Sequence, residues 1–399
     1  MCTISLFPST RRPALVLHRF RLGMTAILAL AALAGCLSPA DPTPNGNLAL
    51  LTTMEGGPLT VLDLQSGTTV ERPASGVRSG DARTLATESR TLYYAGIGRL
   101  VDVDLVERRV LWVEPLGGDQ QARWAGQAIY ADFSLALTGD ENTLLLADSY
   151  YQGGVGVAIV DLSSRTAIAF IPRLRARKMI RVPPGALLPE GGVLALGTTE
   201  PQPIPTYDDT QRRRGSLYLL SGDPPTIRDS IKFLSSADSS AGGVAEMMLD
   251  AAGRYLYFTT FSSYIHKYDL ETRTYAGSLK LPIFGPLAIS PDGASVYVID
   301  RTQTIDNPGS GFMYVCDSAL TAAHEIDLNS ASREGLAPQL NAVAVSQDGH
   351  LVYVGAGTPS RGPLYGVQHG SIIVVDAQEK AVKRVFPLTT WGVRSILPL

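Results

Sequence analysis

Cysteine is scarce in this chain, and its placement is informative. Three cysteines occur in 399 residues, and Cys2 and Cys36 both lie near the N-terminus. The long remainder has only Cys316, so it holds no internal disulfide. Histidine is equally thin: there are five, and His18, His266, His324, His350 and His369 show no metal-ligand spacing. No CxxCH haem motif, glycine-rich phosphate loop, HExxH or GxSxG elbow is present. Asp306 and the pair Asp208 and Asp209 lack the alternating ligand pattern of a calcium loop. No catalytic residue, metal or cofactor is therefore expected. An excess of one charge is also missing. Lys and Arg number 34, Asp and Glu 37, for a net charge of −3, so nothing global points to nucleic acid. With three tryptophans and no GH…WD pairing, a WD40 repeat is disfavoured.

What is abundant is turn chemistry, with 39 glycines and 26 prolines beside 45% hydrophobic residues. Residues 287–300, LAISPDGASVYVID, read as two short strands around a tight turn, because apolar residues alternate on either side of Pro291-Asp292-Gly293. Proline presets φ there, and glycine tolerates φ > 0. The unit returns at 343–355 (VAVSQDGHLVYVG), 247–259 (MMLDAAGRYLYFT) and 135–147 (LALTGDENTLLLA). A second mark recurs, a strand that ends in Asp before a turn. It appears at Asp63, Asp104, Asp161, Asp269, Asp317 and Asp376, with Ser221 in the remaining unit. Such an aspartate can bond backbone N–H groups of the turn, so a structural role is expected.

Units of this length suit the four-stranded blades of a propeller. The first unit starts at 48–54 as a second strand with none before it, and 392–397 reads as a first strand with none after it. Joining them removes both loose edges. The expected fold is all-β, a seven-bladed propeller of four-stranded antiparallel blades over 48–399, closed by the C-terminal strand. Pro291-Asp292-Gly293 followed by Tyr297-Val298-Ile299-Asp300 resembles the repeat of YVTN-type, lactonase-like propellers. Gln347-Asp348-Gly349 followed by Tyr353-Val354-Gly355-Ala356 does so too. The fourth unit departs most, with Pro189-Glu190-Gly191-Gly192 in place of that turn. That resemblance implies a fold and leaves the chemistry open, since one scaffold hosts many functions.

The N-terminus reads as targeting. Arg11, Arg12, Arg19 and Arg21 precede an apolar run over 22–33 that is too short to span a bilayer comfortably. It ends in Leu33-Ala34-Gly35-Cys36, which resembles a lipoprotein lipobox. By that resemblance 1–35 is a signal peptide and Cys36 carries the lipid, an anchor of several acyl chains. The segment 36–47 is then a Pro-rich tether. The resemblance also implies a cell-envelope location, in the outer membrane if there are two, and no partner beyond the membrane is fixed by it.

Function is expected on the side of the blades where connections are long. The stretches read as loops there are 117–133, 172–184, 199–214, 301–310, 329–340 and 357–369. Two of them gather cations: Arg173, Arg175, Arg177, Lys178 and Arg181 in one, Arg212, Arg213 and Arg214 in the other. They form either a site for an anionic envelope component or protein partner, or a solvated charge run offset by Glu200, Asp208 and Asp209. A second candidate is the central funnel, near Asp132, Glu246, Asn341 and Arg394, with Arg83 less clear. His369, closing the last long loop, is the best functional histidine, whereas His266 and His350 read as structural. The expected role is that of a monomeric, lipid-anchored binding or scaffolding protein of the envelope. A lactonase-like hydrolase acting in the funnel, or a partner subunit of a periplasmic dehydrogenase, is the alternative.

Overall fold

The computed structural model describes residues 48–398, apart from 54–58, 65, 73–81, 87–90, 97–98, 105–108, 116–132, 149–155, 186, 199–215, 233–243, 301–310, 332–337, 360–366 and 389–391. The strands fall into seven groups in chain order. The first is β1 (Leu48–Thr53), β2 (Leu59–Asp63) and β3 (Thr69–Arg72). Next come β4 (Ala82–Ala86), β5 (Thr91–Gly96), β6 (Arg99–Asp104) and β7 (Arg109–Pro115). The third group is β8 (Phe133–Leu137), β9 (Thr143–Asp148), β10 (Gly156–Asp161) and β11 (Thr166–Pro172). The fourth is β12 (Arg175–Val182), β13 (Gly192–Thr198), β14 (Ser216–Ser221) and β15 (Thr226–Lys232). The fifth is β16 (Val244–Leu249), β17 (Tyr255–Thr260), β18 (Tyr264–Asp269) and β19 (Thr274–Lys280). The sixth is β20 (Leu287–Ile289), β21 (Ser295–Ile299), β22 (Phe312–Asp317) and β23 (Ala323–Asp327). The last is β24 (Gln339–Val345), β25 (Leu351–Pro359), β26 (Val367–Asp376) and β27 (Ala381–Pro387), followed by β28 (Val393–Pro398).

These strands form seven four-stranded sheets, each pairing its strands in sequence order. The exception is the first, whose order is β28-β1-β2-β3. There Leu50 faces Leu397 and Leu51 faces Ile396, so the C-terminal strand supplies the missing first strand of the N-terminal sheet, as the sequence predicts. Contacts run from β4 through β8, β12, β16, β20 and β24 to β28, the succession of inner strands in a propeller.

Burial follows position in the sheet. Middle strands lie between neighbouring sheets and are covered on both faces: β14, β17 and β21 are buried at every residue but the first. They therefore read as continuous apolar runs. Outer strands such as β19 and β27 are largely exposed. Among the described residues, six clusters of buried apolar side chains fill the interfaces from the second sheet round to the first.

The outer edges carry their own protection. Five outer strands are bulged, with Leu111, Ile168, Arg228, Ala276 and Lys383 the extra residues. A bulge twists an open edge away from pairing with another chain.

The recurrent Asp and Ser residues close the turns. Asp63, Asp161, Asp269, Asp317 and Asp376 each accept backbone N–H bonds from the turn that follows. Ser290 Oγ donates to Asp292 Oδ1 at 2.6 Å and accepts from Ser295 N, while Ala294 N donates to the same carboxylate. The 346–351 turn repeats this with Ser346 and Asp348. The hydroxyl bond holds the Asp292 and Asp348 carboxyls below their ordinary range.

The other hairpin turn reaches the preceding sheet in several of the blades. Its apex residue has positive φ at Gly67, Arg165, Arg273, Leu320 and Lys380. Arg165 reaches Asp102 and Leu111 O of the preceding sheet, and Arg273 pairs with Asp229. Gly67 lies so close to Phe386 that an added Cβ would be 2.4 Å from its ring.

Candidate functional site

Each inner strand starts at the connection from the preceding sheet and ends at its hairpin turn. The starts of the seven inner strands therefore share one side, the side of the long connections, and define one mouth of the axis. Four of the eight expected cations, Arg173, Arg175, Arg177 and Lys178, fall in or just before the start of one inner strand, by an unexpected route. Residues 175–182 are not a loop; they are the inner strand β12. The crossing that precedes it is two residues, Arg173 and Leu174, with Arg173 exposed and at φ 67°. The sequence hides this strand because its alternation breaks. Ala176 pairs with Gly197 and Lys178 with Leu196, so Arg177 is an extra, bulged residue.

The same irregularity recurs on three more inner strands. The register shifts between Val244 and Glu246 in β16, between Leu340 and Ala342 in β24, and opposite Thr52 and Thr53 in β28. The extra residues are Ala245, Asn341 and Arg394. A bulge inserts one residue without disturbing the rest of the ladder and re-aims the chain locally. Its signature is that residues three apart, not two, share a face. Ala176 and Met179 lie in one cluster, Val244 and Met247 in the next, Leu340 and Val343 in a third, and Val393 and Ile396 in a fourth. Read together, ARKM, VAEM, LNAV and VRSI are the sequence signal for these bulges.

The side chains described at this mouth are partly covered. Lys178 and Glu246 form an ion pair between adjacent inner strands. Asn341 is half-buried and its Nδ2 donates to Gln339 O at 3.3 Å. Glu246, Asn341 and Arg394 lie on the inner strands β16, β24 and β28. Arg83 is the second residue of the inner strand β4.

Three expectations are corrected. Arg181 lies at the other end of β12, toward the hairpin turns, where it pairs with Glu141 and donates to Gly139 O at 2.6 Å. It ties the third and fourth sheets together and is no part of a patch with Arg175 and Arg177. His369 closes no loop; it lies within β26, where Gly370 pairs with Gly357 and Val367 with Pro359. The connections on this side are also not uniformly long, since β17 and β18 are joined by residues 261–263 alone. Arg212, Arg213, Arg214, Asp132 and Cys36 lie outside the described residues.

His266 is buried and its Nδ1 is 2.6 Å from Ser278 Oγ, between the rings of Phe258 and Tyr264. Cys316 is 1% exposed, and burial pushes its thiol up to about 12. Among the described residues, no three His, Cys, Asp or Glu side chains gather where they could hold a metal ion.

Two solved structures share the architecture. The β-propeller domain of Cps50 (Swd1) from Myceliophteria thermophila is 14% identical, with a TM-score of 0.52 over 77% of this chain and 87% of that one. Dihydro-heme d1 dehydrogenase NirN in complex with DHE is also 14% identical, with a TM-score of 0.53 over 89% of this chain and 75% of that one. The chain has a β-propeller fold. At that identity the likeness carries the fold alone. No family model matches the chain, and no curated protein does.

Proposed function

We propose that this protein is a lipid-anchored binding or scaffolding propeller of the bacterial cell envelope, held by Cys36 and engaging an anionic component or protein partner through the side of its long connections. One observation carries this reading: the two sides of the propeller are built differently. On the hairpin side, the 138–143, 290–295 and 346–351 turns repeat one geometry, closed by their own Asp and Ser or Thr residues. On the other side the connections run from two residues, 173–174, to the seventeen of 116–132. Variable segments on a rigid scaffold are where recognition resides. The inner strand β12 carries Arg175, Arg177 and Lys178 in its first half, on that side.

Crosslinking in intact envelopes, followed by pull-down, tests the binding role. A discrete partner recovered with the wild type, and lost when the long connections are shortened, is the expected result. Absence of any crosslinked species would overturn it. Changing Cys36 to Ala tests the anchor separately, with release into the soluble fraction expected and retention on membranes refuting it.

A further inference from the structure

Five of the outer strands are bulged, and among the described residues β3 and β23 alone keep an unbroken register. β3 has four residues, whereas β23 runs over Ala323–Asp327 at the outer edge of its sheet. It pairs with β22 from Phe312↔Asp327 to Cys316↔Ala323 without a shift. Ile326 is buried, and the other residues of the strand are exposed. The bonds that flank the strand fix where its backbone groups point. Leu328 N donates to Gly311 O at 2.9 Å and Asp317 N to Ala322 O at 3.2 Å, both in continuation of the same register. Hydrogen-bonded and non-bonded pairs alternate along an antiparallel ladder. Residues 322, 324, 326 and 328 therefore bond toward β22, and the N–H and C=O groups of Ala323, Glu325 and Asp327 point outward.

An open, regular edge is a template for another strand, and bulges or charges blunt it. On β23 the blunting is by charge, and the charge has one sign on one face. Glu325 and Asp327 are two apart, so their side chains share a face with Ala323. Glu325 accepts from Tyr314 Oη and Asp327 from Asn329 N at 2.7 Å, which holds both carboxylates at the edge. A second copy of the strand is disfavoured there. The two-fold antiparallel register that uses all three outward positions sets Glu325 against Glu325, and like charges directly opposite destabilise a pair. A strand with cations at alternate positions meets the opposite condition. We propose that the β23 edge takes up an extended segment of a protein partner that carries Lys or Arg at every second position, added as a fifth strand to this sheet. Backbone bonds to Ala323, Glu325 and Asp327 hold such a segment, and the two carboxylates select its side chains. This surface lies on the outer rim, apart from the long-connection side, and stands independently of the role proposed for that side.

Calorimetric titration of the full-length protein in nonionic detergent tests it, with a short capped peptide alternating Lys and Thr and with its Glu–Thr counterpart. Wild type should bind the first, more weakly as salt rises, and not the second. Glu325→Pro removes an outward N–H and leaves the ladder to β22 intact. It should keep the circular dichroism of wild type and bind about tenfold more weakly. Tyr314→Phe, which removes only the bond to Glu325, should bind as wild type. Glu325→Lys keeps every backbone donor and should lose the preference for the Lys–Thr peptide, which reads the edge even where proline disturbs the sheet. No binding to wild type, equal binding of both peptides, or a folded Glu325→Pro variant that binds undiminished would overturn the proposal. Sedimentation covers the other occupant: a concentration-dependent dimer that is lost in Glu325→Pro assigns the edge to a second copy and overturns the proposal as well.

Discussion

Replacing Asp102 with Asn should change how stability depends on pH, in a direction that the packing dictates. Asp102 sits on β6 with its side chain 6% exposed, and Arg165 reaches it from the next sheet at 3.4 Å. Its other oxygen, Oδ1, is buried with no hydrogen-bond partner among the described residues. Two opposed effects act on the carboxyl. Burial penalises the charged form, Asp104 adds to that, and the Arg165 guanidinium opposes both. Burial wins, and the group is pushed from 3.8 up to about 6.

The sign follows from linkage. A carboxyl whose folded pKa exceeds its unfolded one binds its proton more tightly when folded. Its contribution is fully present below about pH 4 and is lost as pH rises through about 6. A shift of roughly 2 units at ~1.4 kcal/mol each sets this contribution at about 3 kcal/mol. Asp102→Asn removes the titration and keeps the shape. Relative to wild type, the variant should gain about 3 kcal/mol between pH 4 and pH 8. For a unit of roughly 350 residues that is about 4 °C in melting temperature. Melting curves across that range, followed by circular dichroism, read it directly. A difference that stays constant with pH, or a wild type that gains on the variant as pH rises, would refute the claim that burial outweighs the ion pair. Arg165→Ala gives a second handle. Without the guanidinium the folded pKa rises further, so that variant should lose stability at pH 8 and change little at pH 4.

Other substitutions probe the turns and the core. Asp269 accepts two bonds from Arg254 and two from the turn backbone, so Asp269→Ala should cost about 2 kcal/mol in denaturant unfolding. Because those bonds hold the Asp269 carboxyl below its usual range, Arg254 first among them, its contribution should fade as pH falls below about 4. Gly67→Ala should destabilise by about 2 kcal/mol, since φ is +74° and the new Cβ meets Phe386; adding Phe386→Leu should return part of it. The Cys316 thiol, buried and protonated, should stay inert to a thiol reagent at pH 8 until denaturant is added.

What the sequence announced and what it concealed have one physical cause. Turns closed by Asp292 and Ser290, or by Asp269, are legible because each is local: the residues that bond one another are within five positions. Middle strands are legible because burial on both faces leaves an apolar run. The joining of β28 to β1 is legible from the missing partner at each end of the repeat. The inner strands carry a weaker signal, because an extra residue resets the two-residue period. Leu174, just before β12, and Ala176 within it pack toward the third sheet, but beyond Arg177 it is Met179 that does so, and Arg181 follows it to Glu141. Lys178 and Val182 turn to the fifth sheet instead. Cations then fall on both faces of the pattern, and a stretch with no consistent apolar side reads as a loop. The consequence runs beyond assignment. A bulge on a strand start leaves the hairpin at its other end undisturbed, so the chain can vary what it presents at the mouth without altering the turns that lock neighbouring sheets. The repeated residues hold the propeller closed, and the four interruptions of the repeat are where it can differ from other propellers in what it binds.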